Sequence, residues 1–297
     1  MITVSNEVRE ALAAGIPVVA LESTVYSHLG LPSPFNERAL QECLDAVRSS
    51  GAVPAVTAVL DGEVRAGLVD HEYERILGVA TKVAERDLSM AIASRCEVGA
   101  TTVSASLAIA ALAGISVFAT GGIGGVHRGV TETGDVSADL GAIARHGVVA
   151  VSAGAKSFLD LQRTLEHLES LSVPVIGWQT NELPAFTART SGLDIPHRVD
   201  DLEALVAIAR AQLTFGRGML VTNPVPEQAA LDQSVHDTAL EKALDEAQDA
   251  GLSGATITPY VLAKMAEASE GQSVPANVAL VANNARLAAE IAAGLMT

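Results

Sequence analysis

The chain has 297 residues, of which 49% are hydrophobic and 18% charged. It can therefore bury enough apolar surface to offset the entropy of ordering, and an intrinsically disordered chain is excluded. Nineteen Lys plus Arg against 35 Asp plus Glu give a formal net charge of −16, a field that repels a nucleic-acid backbone and sets general DNA or RNA binding aside.

Met1 to Glu10 lacks a basic stretch followed by an apolar core, so it does not read as a secretory signal. Pro17 to Leu21 is a short apolar strand, followed by a proline-containing loop and a helix over about Asn36 to Ser49. Val53 to Leu60 is a second strand, and the turn Asp61-Gly62 with a short strand at Glu63 to Ala66 completes a hairpin. Val98 to Val126 holds no charged residue, a length that raises the question of a membrane span. Its Ala, Gly, Ser and Thr content, broken by Gly114 and a glycine cluster, reads instead as a buried helix, Thr102 to Ala113, and a central strand, Ile115 to Thr120. Ser137 caps a helix that runs to Arg145. Val148 to Ser152 is a strand, Ser157 to Leu171 a helix, Pro174 to Trp178 a strand, Asp201 to Leu213 a helix and Met219 to Thr222 a strand. Helices at about Ser234 to Ala250, Pro259 to Ser269 and Pro275 to Ala293 complete the chain. The alternation predicts one α/β domain over residues 1–297, an α/β/α sandwich around a largely parallel central sheet with a helical C-terminal portion. Cys43 and Cys96 are too few for a disulfide scaffold and lack zinc-site spacing; both are expected as buried thiols in a reducing cytoplasm.

Chemistry concentrates at the ends of predicted strands. Gly121-Gly122-Ile123-Gly124-Gly125-Val126-His127-Arg128-Gly129 follows a strand but has His127 where a dinucleotide fingerprint needs glycine. Such a loop can bring backbone amides close to an anion, or it can simply turn a corner; His127 and Arg128 favour a phosphate or metal-bound water. Lys156 follows a strand and stands at the start of a predicted helix, where the positive end of the dipole disfavours the ammonium and increases the neutral, nucleophilic fraction. A phosphate-binding lysine or a surface cap are the plain alternatives. Glu22, directly after a strand, can project into the crevice of an open sheet, where desolvation makes a carboxyl a general acid; a structural acceptor is the competing reading. Asp135 and Asp139 span the start of the helix that Ser137 caps, and capping alone would account for Asp139.

The runs Ala20-Leu21-Glu22-Ser23-Thr24, Gly99-Ala100-Thr101-Thr102-Val103, Phe118 to Gly129, Asp135 to Leu140, Ala153-Gly154-Ala155-Lys156-Ser157 and Asn223-Pro224-Val225-Pro226-Glu227 resemble those of the pseudouridine-5'-phosphate glycosidase family. The resemblance runs from about residue 6 to the C-terminus. It implies reversible hydrolytic cleavage of the carbon-carbon glycosidic bond of pseudouridine 5'-phosphate to uracil and ribose 5-phosphate. It further implies that Lys156 is the nucleophile, that Glu22 is the proton donor, and that Asp135 holds one divalent ion, Mn2+, in an oxygen shell. Lys82, Val103, Thr120, His127, Ser137, Ala138, Asp139 and Asn277 would contact substrate. A homotrimer is implied as well, with no membrane or nucleic-acid partner.

Three departures from the family pattern stand out. His28-Leu29-Gly30-Leu31-Pro32 is one residue longer than expected, Trp178 replaces a tyrosine after Gly177, and the run Lys82 to Asp87 is modified. A lysine-dependent lyase or aldolase acting on another sugar phosphate is the rival enzyme, and a silent phosphosugar-binding protein is the rival from another class.

Overall fold

The structure is a computed structural model, described over residues 2–252 and 257–297. The chain opens with β1 (Ile2–Val4), α1 (Asn6–Ala13) and β2 (Val18–Leu21), then α2 (Phe35–Ser49) and the hairpin β3 (Val53–Leu60) and β4 (Glu63–Ala66). Next come α3 (Asp70–Ile76), β5 (Thr81–Val83), α4 (Leu88–Ala93), β6 (Val98–Thr101), α5 (Val103–Ala113) and β7 (Val117–Ala119). The middle of the chain holds α6 (Val130–Thr133), α7 (Ala138–Arg145), β8 (Val149–Ser152), α8 (Leu161–Ser170), β9 (Val175–Trp178) and β10 (His197–Val199). It ends with α9 (Leu202–Thr214), β11 (Met219–Thr222), α10 (Gln233–Asp249), α11 (Ile257–Ala268) and α12 (Ser273–Met296).

Eleven strands form a sheet in the order β1-β4-β3-β2-β7-β8-β11-β9-β10, with the β5–β6 pair attached to the outer half of β3. Every neighbouring pair from β3 through β2 to β10 is parallel, and among the described strands only β3–β4 and β3–β6 pair antiparallel. Side chains alternate across a strand, so the two faces bury different sets. Val19, Leu21, Val117, Ala119, Val149 and Val151 meet α2, α9 and α12 on one face. Val18, Ala20, Phe118 and Ala150 meet α1, α5 and α7 on the other. Strands buried on both faces explain the continuous apolar runs of the sequence.

Several expectations need correction. Val98–Thr101 is a strand, so the uncharged run is strand, helix and strand rather than helix then strand. β1, β5, β6 and β10 are three or four residues long, too short to show a period. The helix expected from Ser157 begins at Leu161, because the Asp160 side chain accepts from the Arg163 amide at 3.0 Å and caps it there. Lys156 thus lies beyond the first helical turn, where the dipole has faded, and the argument from helix position fails. Cys43 is buried as expected, but Cys96 is only half-buried, at the rim of the small cluster under α4. No helix among the described residues is long and apolar enough to cross a membrane.

Candidate active site

Three adjacent parallel strands, β2, β7 and β8, end at one edge of the sheet, the place where open α/β sheets bind ligands. Glu22 is the first residue after β2 and Thr120 the first after β7; Lys156 lies four residues after β8. The segment after β8 is stitched to the glycine loop after β7: Ala153 N–H donates to Gly121 O at 2.8 Å, Ile123 N–H to Gly154 O at 3.0 Å and Lys156 N–H to Ile123 O at 3.1 Å. This interlock fixes the lysine's backbone without a helix. Gly154 makes the turn possible with φ +77°, a conformation that side-chain-bearing residues rarely adopt.

The three residues share a cavity of about 460 Å³. Glu22 is 7% exposed, and its Oε1 accepts a hydrogen bond from Thr120 Oγ1 at 2.5 Å. Burial raises its pKa to about 7, although the Lys156 charge and the Thr120 hydroxyl pull the other way. Lys156 Nζ donates to Gly122 O at 2.8 Å. Lys82 stands at the mouth, where desolvation, then repulsion from Lys156, holds its ammonium below the usual lysine range. Desolvation likewise lowers His127, partly offset by Asp135, whose Oδ2 lies 3.7 Å from His127 Nδ1.

The two aspartates differ in task. Asp139 is 6% exposed; its Oδ1 accepts from Ser104 N–H at 3.0 Å and its Oδ2 from Gly124 N–H at 2.8 Å. It therefore clamps the start of α5 to the glycine loop. Gly124 is required here, since a Cβ would fall 2.9 Å from Asp139 Oδ2 and closer still to Ser137. Ser137 caps α7 by accepting from Asp139 N–H at 3.2 Å. Asp135 is a third exposed, and among the described residues no backbone N–H donates to its carboxylate. Among the described residues no three His, Cys, Asp or Glu side chains cluster as a metal cage. The donor set fits only a hydrated hard ion held by one carboxylate.

Residues 7–294 match the family described as indigoidine synthase A-like protein. Pseudouridine-5'-phosphate glycosidase of Herpetosiphon aurantiacus is 48% identical over 293 residues, covering 97% of this chain and 96% of that protein. The enzyme of the same name from Caldanaerobacter subterraneus is 46% identical over 299 residues, covering 99% and 96%. The chain belongs to the pseudouridine-5'-phosphate glycosidase family. Among solved structures, the prealnumycin C-glycosynthase AlnA in complex with ribulose 5-phosphate superimposes with a TM-score of 0.91 at 38% identity, covering 100% of this chain and 97% of that one. An indigoidine synthase A-like protein from Thermotoga maritima gives 0.88 at 35% identity, with the same coverage.

Of the positions that the pseudouridine-5'-phosphate glycosidase resemblance implies, Glu22, Lys82, Val103, His127, Asp135, Ser137, Ala138, Asp139, Lys156 and Asn277 all line the one cavity. Thr120 stands behind the wall and reaches the cavity only through Glu22. Asn277 Oδ1 is buried with no hydrogen-bond partner among the described residues, an acceptor left for a ligand. Two residues escaped the sequence reading. Phe186, with φ +62°, lays its ring against Gly122, where a Cβ would sit 2.7 Å away. Asn284, fully buried, donates to Thr120 O at 2.8 Å and steadies the end of β7. An asparagine inside the Ala-rich helix α12 was the available signal for it.

Proposed function

We propose that this chain cleaves the carbon-carbon glycosidic bond of pseudouridine 5'-phosphate reversibly with water, giving uracil and ribose 5-phosphate through a covalent lysine adduct. One observation carries the reading: the buried Glu22 carboxyl and Lys156 line one cavity, at the ends of β2 and β8 on either side of β7. The names of the relatives and the ribulose 5-phosphate bound to AlnA support a five-carbon sugar phosphate as substrate. Departure of a carbon needs a proton at that carbon, and a carboxyl half protonated near neutrality can deliver it. Lys156 Nζ, as the free amine, forms a bond to C1' while the bond from C1' to uracil C5 breaks. The electron pair stays on uracil C5, and Glu22 supplies the proton there. The adduct opens its ring as an Nζ proton passes to O4', leaving an imine between C1' and Nζ; water then adds at C1', giving a proton back to Glu22, and the bond to Nζ breaks as the new hydroxyl's proton passes to the amine. Asn277 Oδ1 suits a uracil N–H.

Asp135 would hold the divalent ion, Mn2+ in this reading, with water or substrate oxygens completing its shell. When bound, the ion supplies positive charge beside the phosphorylated substrate. His127, held near Asp135, orients that carboxylate. We further infer a cytoplasmic homotrimer; free Cys43 and Cys96 suit a reducing compartment. Incubation with pseudouridine 5'-phosphate should release free uracil. If no uracil is released, and a carbonyl product forms from another sugar phosphate, the lysine-dependent lyase takes its place.

A further inference from the structure

Two sequence features have no place in the chemistry above: the Asn223-Pro224-Val225-Pro226 run and Trp178. They meet in a second cleft of about 290 Å³, at the carboxyl ends of β9 and β11. Its remaining wall comes from Arg189, from Gln179 and Gln228, and from Asn283, Arg286, Leu287 and Glu290 of α12. It shares no lining residue with the cavity that holds Glu22 and Lys156.

Two guanidiniums set its character. Arg189 Nη1 donates to Val225 O, and Arg286 Nη2 donates to Asn283 Oδ1. Neither forms an ion pair among the described residues, although acids outnumber bases in the chain almost two to one. Each guanidinium has five N–H donors, so most remain unused. Glu290, one helical turn beyond Arg286, is the single carboxylate of the lining and would accept from a ligand hydroxyl. The floor is preorganised: Asn223, 5% exposed, donates through Nδ2 to Asn284 Oδ1 at 3.1 Å, and Asn284 is itself anchored on Thr120 O. A fixed floor limits the ordering cost of binding.

We propose that this cleft is a second binding site, for a small oxyanion, phosphate or carboxylate, clamped by Arg189 and Arg286 beside Trp178. Planar guanidinium donors match both kinds of oxyanion.

Trp178 is the one tryptophan of the chain and lines this cleft, not the catalytic cavity, so its fluorescence reports here. Titration of the full chain with inorganic phosphate, and separately with citrate, should change Trp178 emission saturably, while chloride at matched ionic strength does not. The anion with the lower midpoint identifies the favoured class. Arg286→Gln, which leaves the Arg189 contact to Val225 intact, should raise that midpoint about tenfold, the usual scale for losing a charge-assisted hydrogen bond. Its thermal melt and its turnover should match the wild type. Emission that does not saturate, that chloride reproduces, or that Arg286→Gln leaves unchanged would overturn the proposal.

Discussion

Glu22 shows how one residue carries two opposed consequences of burial. Its pKa rises from 4.5 to about 7 because a charge in that wall loses its water. Between those values the unfolded chain has released the proton that the folded chain still holds, so folding stability falls as pH rises, by about 3 kcal/mol in all. Glu22→Gln removes that slope while keeping an oxygen to accept from Thr120. The variant should lose roughly 100-fold to 10,000-fold in uracil release. It should also gain stability relative to the wild type between pH 4.5 and about 7, which denaturant melts across pH would register. Equal slopes in the two proteins would place the raised proton elsewhere. The proposed mechanism uses the acid form of Glu22, so wild-type turnover should decline above about pH 7 on this group's account. For Lys156 the matching measurement is borohydride trapping during turnover with peptide mapping; Lys156→Ala should trap nothing and release no uracil, and a tag on Lys82 would transfer the nucleophile's role. For Asp135, chelation should stop wild-type turnover and manganese should restore it, but restore Asp135→Ala poorly; full activity after exhaustive chelation would remove the metal from the mechanism.

At the scale of elements, the cavity depends on joints between segments that are far apart in sequence. Asp139 joins α7, α5 and the glycine loop, and both of its oxygens accept from backbone amides. Asp139→Asn would turn a donor NH2 toward one of those N–H groups, leaving it unpaired in a buried place. A cost of about 1–3 kcal/mol is expected, despite the matched shape, with a higher KM as the loop loosens. An unchanged melt would show that water satisfies the amide and that the clamp is dispensable. The same joints mark the limit of what the sequence reveals. Strands such as Val53–Leu60 and Val149–Ser152, buried on both faces, announce themselves as apolar runs, and Glu22 and Lys156 stand out because each follows one. Three-residue strands carry no period, so β1, β5 and β10 were silent. α8 starts four residues beyond the Ser157 expected from the sequence because Asp160 caps it, and the segment around Lys156 is held instead through Ile123, some thirty residues away, a partner that no local pattern encodes. Thr120 came from the family resemblance alone, and a shared motif does not separate a residue that lines the cavity from one that stands behind it and bonds to Glu22.

For the whole molecule, the proposed homotrimer sets net charge against apolar surface. Each chain carries −16, so bringing three together concentrates like charge, and only a specific apolar contact can outweigh it. Val79, Met90, Leu112 and Phe215 are large apolar side chains that one chain alone leaves exposed, and they are positions such a contact could cover. The sign of the salt effect follows. Added salt screens the repulsion between subunits over about 8–10 Å and leaves apolar burial intact, so association should tighten as ionic strength rises. Light scattering during size-exclusion chromatography should give three times the 30.5 kDa chain mass, with dissociation on dilution appearing first in low-salt buffer. A species of single-chain mass that stays active at every concentration would reject an obligate oligomer, a dimer mass would reject the trimer alone, and association that weakens with salt would mean that ion pairs rather than apolar surface hold the subunits.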